Sequence, residues 1–275
     1  MRQIVIINYN TPELTEACIL SLRKTGCDWP IIVFDNSKTM TFPSDEGLPI
    51  RTYHSRPFLK NITGVTRIDN TENQYIDFDK ELSSYIKTNA HGSVNAWGSD
   101  RHMMTIQKLF ELLPDGFILV ESDTLVKKDI RELWQEEYSF VGYVKRDGPY
   151  LNKPRILPML CYLNVPKFRE LGVDYFDPER SWMLHECESN PNNWYDTGAS
   201  LLEDVLSHRP NLKGLSVDIT QYIVHLGGAS YRQQGRDFDW LKQHKDLWTF
   251  SDETVSSESL SEIINTNNNN YDYSK

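Results

Sequence analysis

Three short runs of branched and aromatic apolar residues, each breaking off into polar residues, constrain this chain more than anything else in it. Residues 3 to 8 (QIVIIN), 30 to 35 (PIIVFD) and 117 to 121 (FILVE) are near-continuous stretches of this kind, the pattern of strands buried on both faces. Between the first two, residues 12 to 25 (PELTEACILSLRKT) carry apolar residues at helical spacing, and Pro12 stands in the first turn, where its missing amide costs nothing. That is a βαβ unit. Residues 99 to 113 repeat the helical spacing, with Met103, Ile106, Leu109, Phe110 and Leu113 on one face. Strands alternating with helices predict an α/β fold whose central sheet is mainly parallel and flanked by helices.

Ligands of such sheets gather at the carboxyl ends of strands. Here those ends are polar: Asn8, Tyr9 and Asn10 after the first strand, Asp35, Asn36 and Ser37 after the second, and Glu121, Ser122, Asp123 and Thr124 after the third. Side chains alternate along a strand, so Glu121 and Asp123 point to the same side, roughly 7 Å apart. Mg²⁺ and Mn²⁺ take oxygen ligands, commonly one or two carboxylates completed by waters and substrate phosphates. The pair is therefore a candidate metal site. The competing reading makes Asp123 the cap of a following helix and Glu121 half of a surface ion pair.

Charge and composition narrow the partners. A net charge of −10 disfavours nucleic acid and anionic membrane surfaces, both of which need a cationic footprint. An anionic substrate would need a metal or a local basic pocket. The opening apolar run is too short for a signal-peptide core, and no stretch approaches the ~18 apolar residues of a membrane span, so a cytoplasmic protein with at most peripheral membrane contact is expected. Cys18, Cys27, Cys161 and Cys187 lack metal or disulfide spacing and read as reduced thiols.

Along the rest of the chain, residues 49 to 54 read as a further strand and residues 56 to 94 as an insertion or long loop. Residues 150 to 194 are irregular and aromatic-rich. Residues 256 to 264 suit a short helix, and the Asn-rich NTNNNNYDYSK that ends the chain is expected to be disordered. Asp196 precedes Thr197 and Gly198 at the start of a helix over 199 to 207, where a carboxylate can cap the helix or face a substrate. Glu203 and Asp204, mid-helix, are its rivals as a base or simply a solvated face. His225 follows an apolar run and precedes two glycines, a setting for a metal ligand or for a structural histidine.

These pieces carry a resemblance. IVIINYNTPELTEACILSL resembles the first strand and helix of family 2 and related bacterial glycosyltransferases of the GT-A fold, and IIVFDNS resembles their second strand. FILVESDT resembles the strand that delivers their Asp-x-Asp metal motif, with Glu121 in place of the first Asp. YDTGASLLEDVL is similar to the segment bearing their catalytic base, and YIVHLGG to a late strand whose His completes the metal shell. The resemblance covers about residues 1 to 250. It implies one GT-A-like catalytic domain over 1–250, with a nucleotide-binding half (1–145) and an acceptor-side half (146–250), followed by a tail over 251–275.

It also implies roles. Tyr9, Asn10, Thr11 and Asp35 would line a nucleoside pocket, with Asp35 accepting from the base edge and Asn36 and Ser37 beside it. Glu121 would meet the ribose or a metal-bound water. Asp123 would hold Mn²⁺ or Mg²⁺ against the diphosphate, with His225 ligating from the far side. Arg101, in GSDRH, would lie near the donor sugar or pyrophosphate, and Asp196 would be the general base of an inverting transfer. The implied reaction moves a sugar from a nucleotide-diphosphate donor, by default a UDP-sugar, to a hydroxyl of a glycan or lipid-linked acceptor. A nucleotidyltransferase is the alternative enzyme, but such enzymes carry a Gly-rich, basic loop after the first strand, where this chain reads NYNTPE. A catalytically silent nucleotide-sugar-binding protein is the third reading.

Overall fold

The structure, a computed structural model, describes residues 1–37, 59, 62–83, 99–146, 153–180, 196–208, 210–227 and 234–250. The predicted βαβ unit is formed by β1 (Ile4–Asn8), α1 (Pro12–Lys24) and β2 (Ile31–Asp35). Next come β3 (Val65–Asp69), the short α2 (Phe78–Ser83), α3 (Ser99–Leu112), β4 (Phe117–Glu121) and β5 (Thr124–Val126). The later elements are β6 (Phe140–Lys145), β7 (Arg155–Leu163), α4 (Val165–Glu170), α5 (Ala199–Ser207), β8 (Gly214–Ser216), β9 (Ile223–His225), α6 (Gln234–Gln243) and α7 (Lys245–Trp248). Seven strands form one sheet in the order β3-β2-β1-β4-β7-β6-β8, and β5 pairs with β9 in a separate two-stranded ribbon. Within the sheet only β7 runs against its neighbours.

Alternation along the central strands divides the core. Val5, Ile7, Phe34, Phe117 and Leu119 face α3, whose Met103, Ile106, Leu109, Phe110 and Leu113 supply the expected apolar stripe. Ile4, Ile6, Ile31, Val33, Ile118 and Val120 face α1 through Cys18, Ile19 and Leu22. The other side of α1 (Leu14, Ala17, Leu20) packs on Leu125 of β5 and on Phe238, Leu241 and Trp248 of α6 and α7. Lys24 donates to the carbonyls of Asp246 and Thr249, closing the last turn of α7.

Two stretches differ from expectation. The third parallel strand is β3, inside the span read as a long loop. Its VTRID sequence leaves Val65 and Ile68 only partly buried, so at this outer position it lacks the apolar run that marks β1, β2 and β4. The segment read as irregular contains β7, nine residues long in mid-sheet. Pro158 interrupts its pattern, and residues 157–159 pair with neither β4 nor β6 in the observed registers, so the missing amide falls where no ladder bond is needed. The strand expected at 49–54 and the helix and tail beyond residue 250 lie outside the described residues. Cys18, Cys27 and Cys161 are buried free thiols, all raised by burial; Cys187 lies outside the described residues.

The turn into β4 depends on Gly116. Its φ is +91°, and a Cβ there would fall 2.5 Å from the Leu163 carbonyl oxygen. Left-handed backbone alone costs an ordinary residue about 1–2 kcal/mol. Gly116→Ala is therefore expected to lower the free energy of unfolding in urea by roughly 2 kcal/mol or more, and an unchanged midpoint would refute this account of the turn.

Candidate functional site

Strand register brings the polar ends onto one rim of the sheet: Asn8 is level with Asp35, Asp35 with Asp69, and Ile7 with Glu121. Asn8 is buried and organises the rim. Its amide donates to Asp35 Oδ1 (2.8 Å) and Ser37 Oγ (2.9 Å). Its carbonyl oxygen accepts from the Thr11 amide (3.2 Å), the Thr11 hydroxyl (3.1 Å) and the Thr15 hydroxyl (2.9 Å). Asn10 takes a left-handed φ of 54°, and its amide donates to Ser37 Oγ at 3.1 Å. The Thr11 hydroxyl reaches Ser122 Oγ at 3.0 Å, between the two candidate metal carboxylates. The loops after β1, β2 and β4 are thus one connected hydrogen-bonded unit.

Asp35, Asn36 and Ser37 are all nearly fully buried. Asp35 Oδ1 accepts from Asn8 and from the Ser37 amide, while Oδ2 accepts from Arg67 Nε (2.9 Å) and pairs with Arg67 Nη2 (2.6 Å). Arg67 also pairs with Asp69 at 3.1 Å. Sequence reasoning missed Arg67 because its strand was read as loop; the two-residue spacing of Arg67 and Asp69 was the available signal. Asn36 Nδ2 donates to Thr105 Oγ1 of α3 (2.8 Å), and Asn36 Oδ1 accepts from Asn70 (2.9 Å). Arg101 of α3 is buried, donates to the Tyr9 hydroxyl at 3.0 Å and lies over the Phe78 ring.

Glu121, Asp123 and His225 meet. The β5–β9 register sets His225 opposite Thr124, next to Asp123, and the Leu226 amide donates to the Asp123 carbonyl at 3.0 Å. His225 Nε2 lies 3.0 Å from Glu121 Oε2 and 3.1 Å from Asp123 Oδ1, and one potential ligand atom from each of the three residues falls within 4.8 Å of the others. Two carboxylates and an imidazole form a donor set suited to Mn²⁺ or Mg²⁺, with coordination positions left for phosphate oxygens and water. His102 of α3, next to Arg101 in the chain, lies within reach of these charges. Its Nε2 is buried without a hydrogen-bond partner among the described residues, and burial holds it below its ordinary value against the charges of Glu121 and Asp123.

Asp196 starts the turn into α5. Its Oδ1 accepts from the Thr197 amide at 2.7 Å, and its Oδ2 forms an ion pair with Arg155, the first residue of β7. The rivals are engaged differently: Arg180 binds Asp204 through both carboxylate oxygens (2.8 and 2.7 Å) and reaches Glu203 at 3.2 Å, while Lys153 lies 3.4 Å from Glu203.

No protein-family model and no curated protein matches the sequence. Solved structures do match. Mouse xyloside xylosyltransferase 1, in its apo form, superposes with a TM-score of 0.50 at 11 % identity, covering 80 % of this chain and 86 % of that one. The fold is GT-A-like. Galactosyltransferase LgtC, in complex with donor and acceptor sugar analogues, matches at TM-score 0.47 and 12 % identity, covering 96 % of this chain and 95 % of that one. Glycosyltransferase GlyE of Streptococcus pneumoniae TIGR4 matches at TM-score 0.46 and 11 % identity, over 96 % of this chain and 64 % of that one. Among the described residues, no helix is long and apolar enough to cross a membrane.

The carboxylate–imidazole cluster has a pH signature. Burial pulls His225 down, but hydrogen bonds to Asp123 and Glu121, together with their charges, raise it from 6.5 to about 10. A histidine raised in this way contributes stability that is fully present below its unfolded value and is lost as pH climbs through the folded one. In chelator, the difference in Tm between the wild type and His225→Gln should be largest at about pH 6 and shrink steadily toward about pH 10. A pH-independent difference would mean that no imidazolium bridges the carboxylates.

Proposed function

We propose that this protein is a metal-dependent glycosyltransferase that moves a sugar from a nucleoside-diphosphate donor, by preference a UDP-sugar, to a hydroxyl of a glycan or lipid-linked acceptor. The observation that carries this reading is the meeting of Glu121, Asp123 and His225 at the carboxyl rim of a GT-A-like sheet. Asp123 and His225 would ligate Mn²⁺ or Mg²⁺, and Glu121 would ligate it or orient its water. The ion, when bound, neutralises charge that builds up on the departing diphosphate.

The chain's own residues divide the remaining work. The nucleoside is assigned to Tyr9, Asn10, Thr11, Asp35, Asn36 and Ser37, with Arg67 fixing Asp35, and Arg101 is assigned to the donor's sugar or pyrophosphate. Asp196 is the base. As the acceptor oxygen bonds to the anomeric carbon, its proton passes to the Asp196 carboxylate, and the bond from that carbon to the diphosphate breaks, giving inversion. Residues 1–250 work as one catalytic unit in this scheme, and the continuation of the sheet from β4 into β7, β6 and β8 supports that. A cytoplasmic location remains part of the proposal.

Titration calorimetry with UDP tests the metal. Affinity is expected to fall at least tenfold in chelator relative to Mn²⁺, and Asp123→Ala should remove that difference without unfolding the protein. Equal affinity with and without metal would sink the proposal. Asp196→Asn is expected to slow transfer by about 10²- to 10⁴-fold while UDP binding stays within a few-fold of wild type. Near-full activity in that variant would remove Asp196 from the role of base.

A further inference from the structure

We propose that Arg155 is the positioning residue of Asp196: its guanidinium fixes the direction of that carboxylate and keeps it ionised for proton transfer. This inference rests on the reading of Asp196 as the base. Arg155 Nη1 is ion-paired with Asp196 Oδ2, and the two side chains are only 18 % and 21 % exposed. With Oδ1 accepting from the Thr197 amide, each carboxylate oxygen has one fixed donor and retains lone-pair capacity for an acceptor hydroxyl.

The backbone builds this meeting in advance. The Ile156 amide donates to the Gly198 carbonyl at 3.3 Å. Gly198 has φ +80° and sits so close to β7 that a Cβ would fall 2.2 Å from the Ile156 carbonyl oxygen. Residues 155–156 and 196–198 therefore lie side by side because of main-chain contact, and only a residue without a Cβ permits it. An exposed ion pair is worth little, but this one is mostly shielded from water and held by its backbone.

Among the described residues, Arg155 is the cation seen to pair with Asp196. Lys153 and Arg180 are committed to Glu203, and Arg180 also to Asp177 and Asp204. Burial lowers the Arg155 guanidinium, while the charge of Glu121 on β4 opposes that shift. The Tyr175 hydroxyl is buried with no hydrogen-bond partner among the described residues. The arrangement bears on how far into acid the carboxylate can still accept a proton. When the acceptor O–H bond breaks, its proton must find an empty carboxylate; the new carbon–oxygen bond forms and the carbon–diphosphate electron pair leaves with the diphosphate. A carboxylate beside an arginine titrates about 1–3 units lower than one alone, so it stays empty in mildly acidic solution.

The test uses the full chain. In carbon-detected NMR of carboxyl-labelled protein, with the Asp196 signal identified by its loss in Asp196→Asn, that signal should titrate at least one unit higher in Arg155→Met than in the wild type. Arg155→Lys, which keeps the charge without the fork, should fall between them and show that the shift is electrostatic rather than a consequence of misfolding. The rate of UDP-glucose or UDP-galactose turnover with Mn²⁺ should lose about tenfold per unit on its acid limb, and that limb should move upward by the same amount in Arg155→Met. An Asp196 titration that is the same in all three proteins overturns the proposal. A titration that moves while the acid limb stays put upholds the pairing and overturns instead the reading of Asp196 as base.

Discussion

The buried side-chain amide of Asn8 is the interaction on which the geometry of the rim depends. It donates to Asp35 and Ser37 at the end of β2 and accepts three hydrogen bonds from the first turns of the β1–α1 connection. Through Thr11 the same unit reaches Ser122, which stands between Glu121 and Asp123. A buried amide left without its partners costs about 1–3 kcal/mol, so the network acts as a whole or not at all. The consequence is positional: the proposed nucleoside wall and the loop carrying Glu121 and Asp123 cannot shift independently, although they come from three different strands.

The other fixed point is the β5–β9 ribbon. It stands outside the main sheet, yet Leu125 packs against the face of α1 that α6 and α7 also cover, and the Val126 amide donates to Ser21 of α1 at 2.8 Å. Helix α1 thus holds the ribbon, and the ribbon holds His225 against Asp123. Lys24 ties the far end of α1 to the C-terminal turn of α7. The C-terminal helices therefore bear on the candidate metal cluster through α1 and Leu125.

What could be read from sequence follows from this division. β1, β2, β4 and α1 were legible because strands buried on both faces need continuous apolar runs and a helix against them needs a 3.6-residue period. β3 was not, since an outer strand with Thr66 and Arg67 exposed satisfies no such rule. β7 was not, because Pro158 hid a strand that leaves those residues outside its ladder. These two strands carry the arginines that meet carboxylates at the rim, Arg67 and Arg155. Glu121, Asp123 and His225 could be singled out because they stand at strand ends with recognisable neighbours. Arg67 and Arg155 could not, because an arginine in an unrecognised strand has no context that separates it from an arginine on the surface.

Charge completes the logic. The chain carries −10 overall, and the rim gathers Asp35, Asp69, Glu121, Asp123 and Asp196. Each is answered locally: Asp35 and Asp69 by Arg67, Asp196 by Arg155, and Glu121 with Asp123 by His225. Guanidinium groups do not release protons in proteins, so the first two partnerships are permanent features of the charge map. Imidazole does release its proton, and a ligating histidine must. Of the three clusters, only the one built on His225 can therefore exchange a proton for a divalent cation. Exchanging the imidazolium proton for a divalent ion would take the cluster from a formal charge of −1 to 0, so an entering diphosphate would no longer meet a net negative site in an acidic protein.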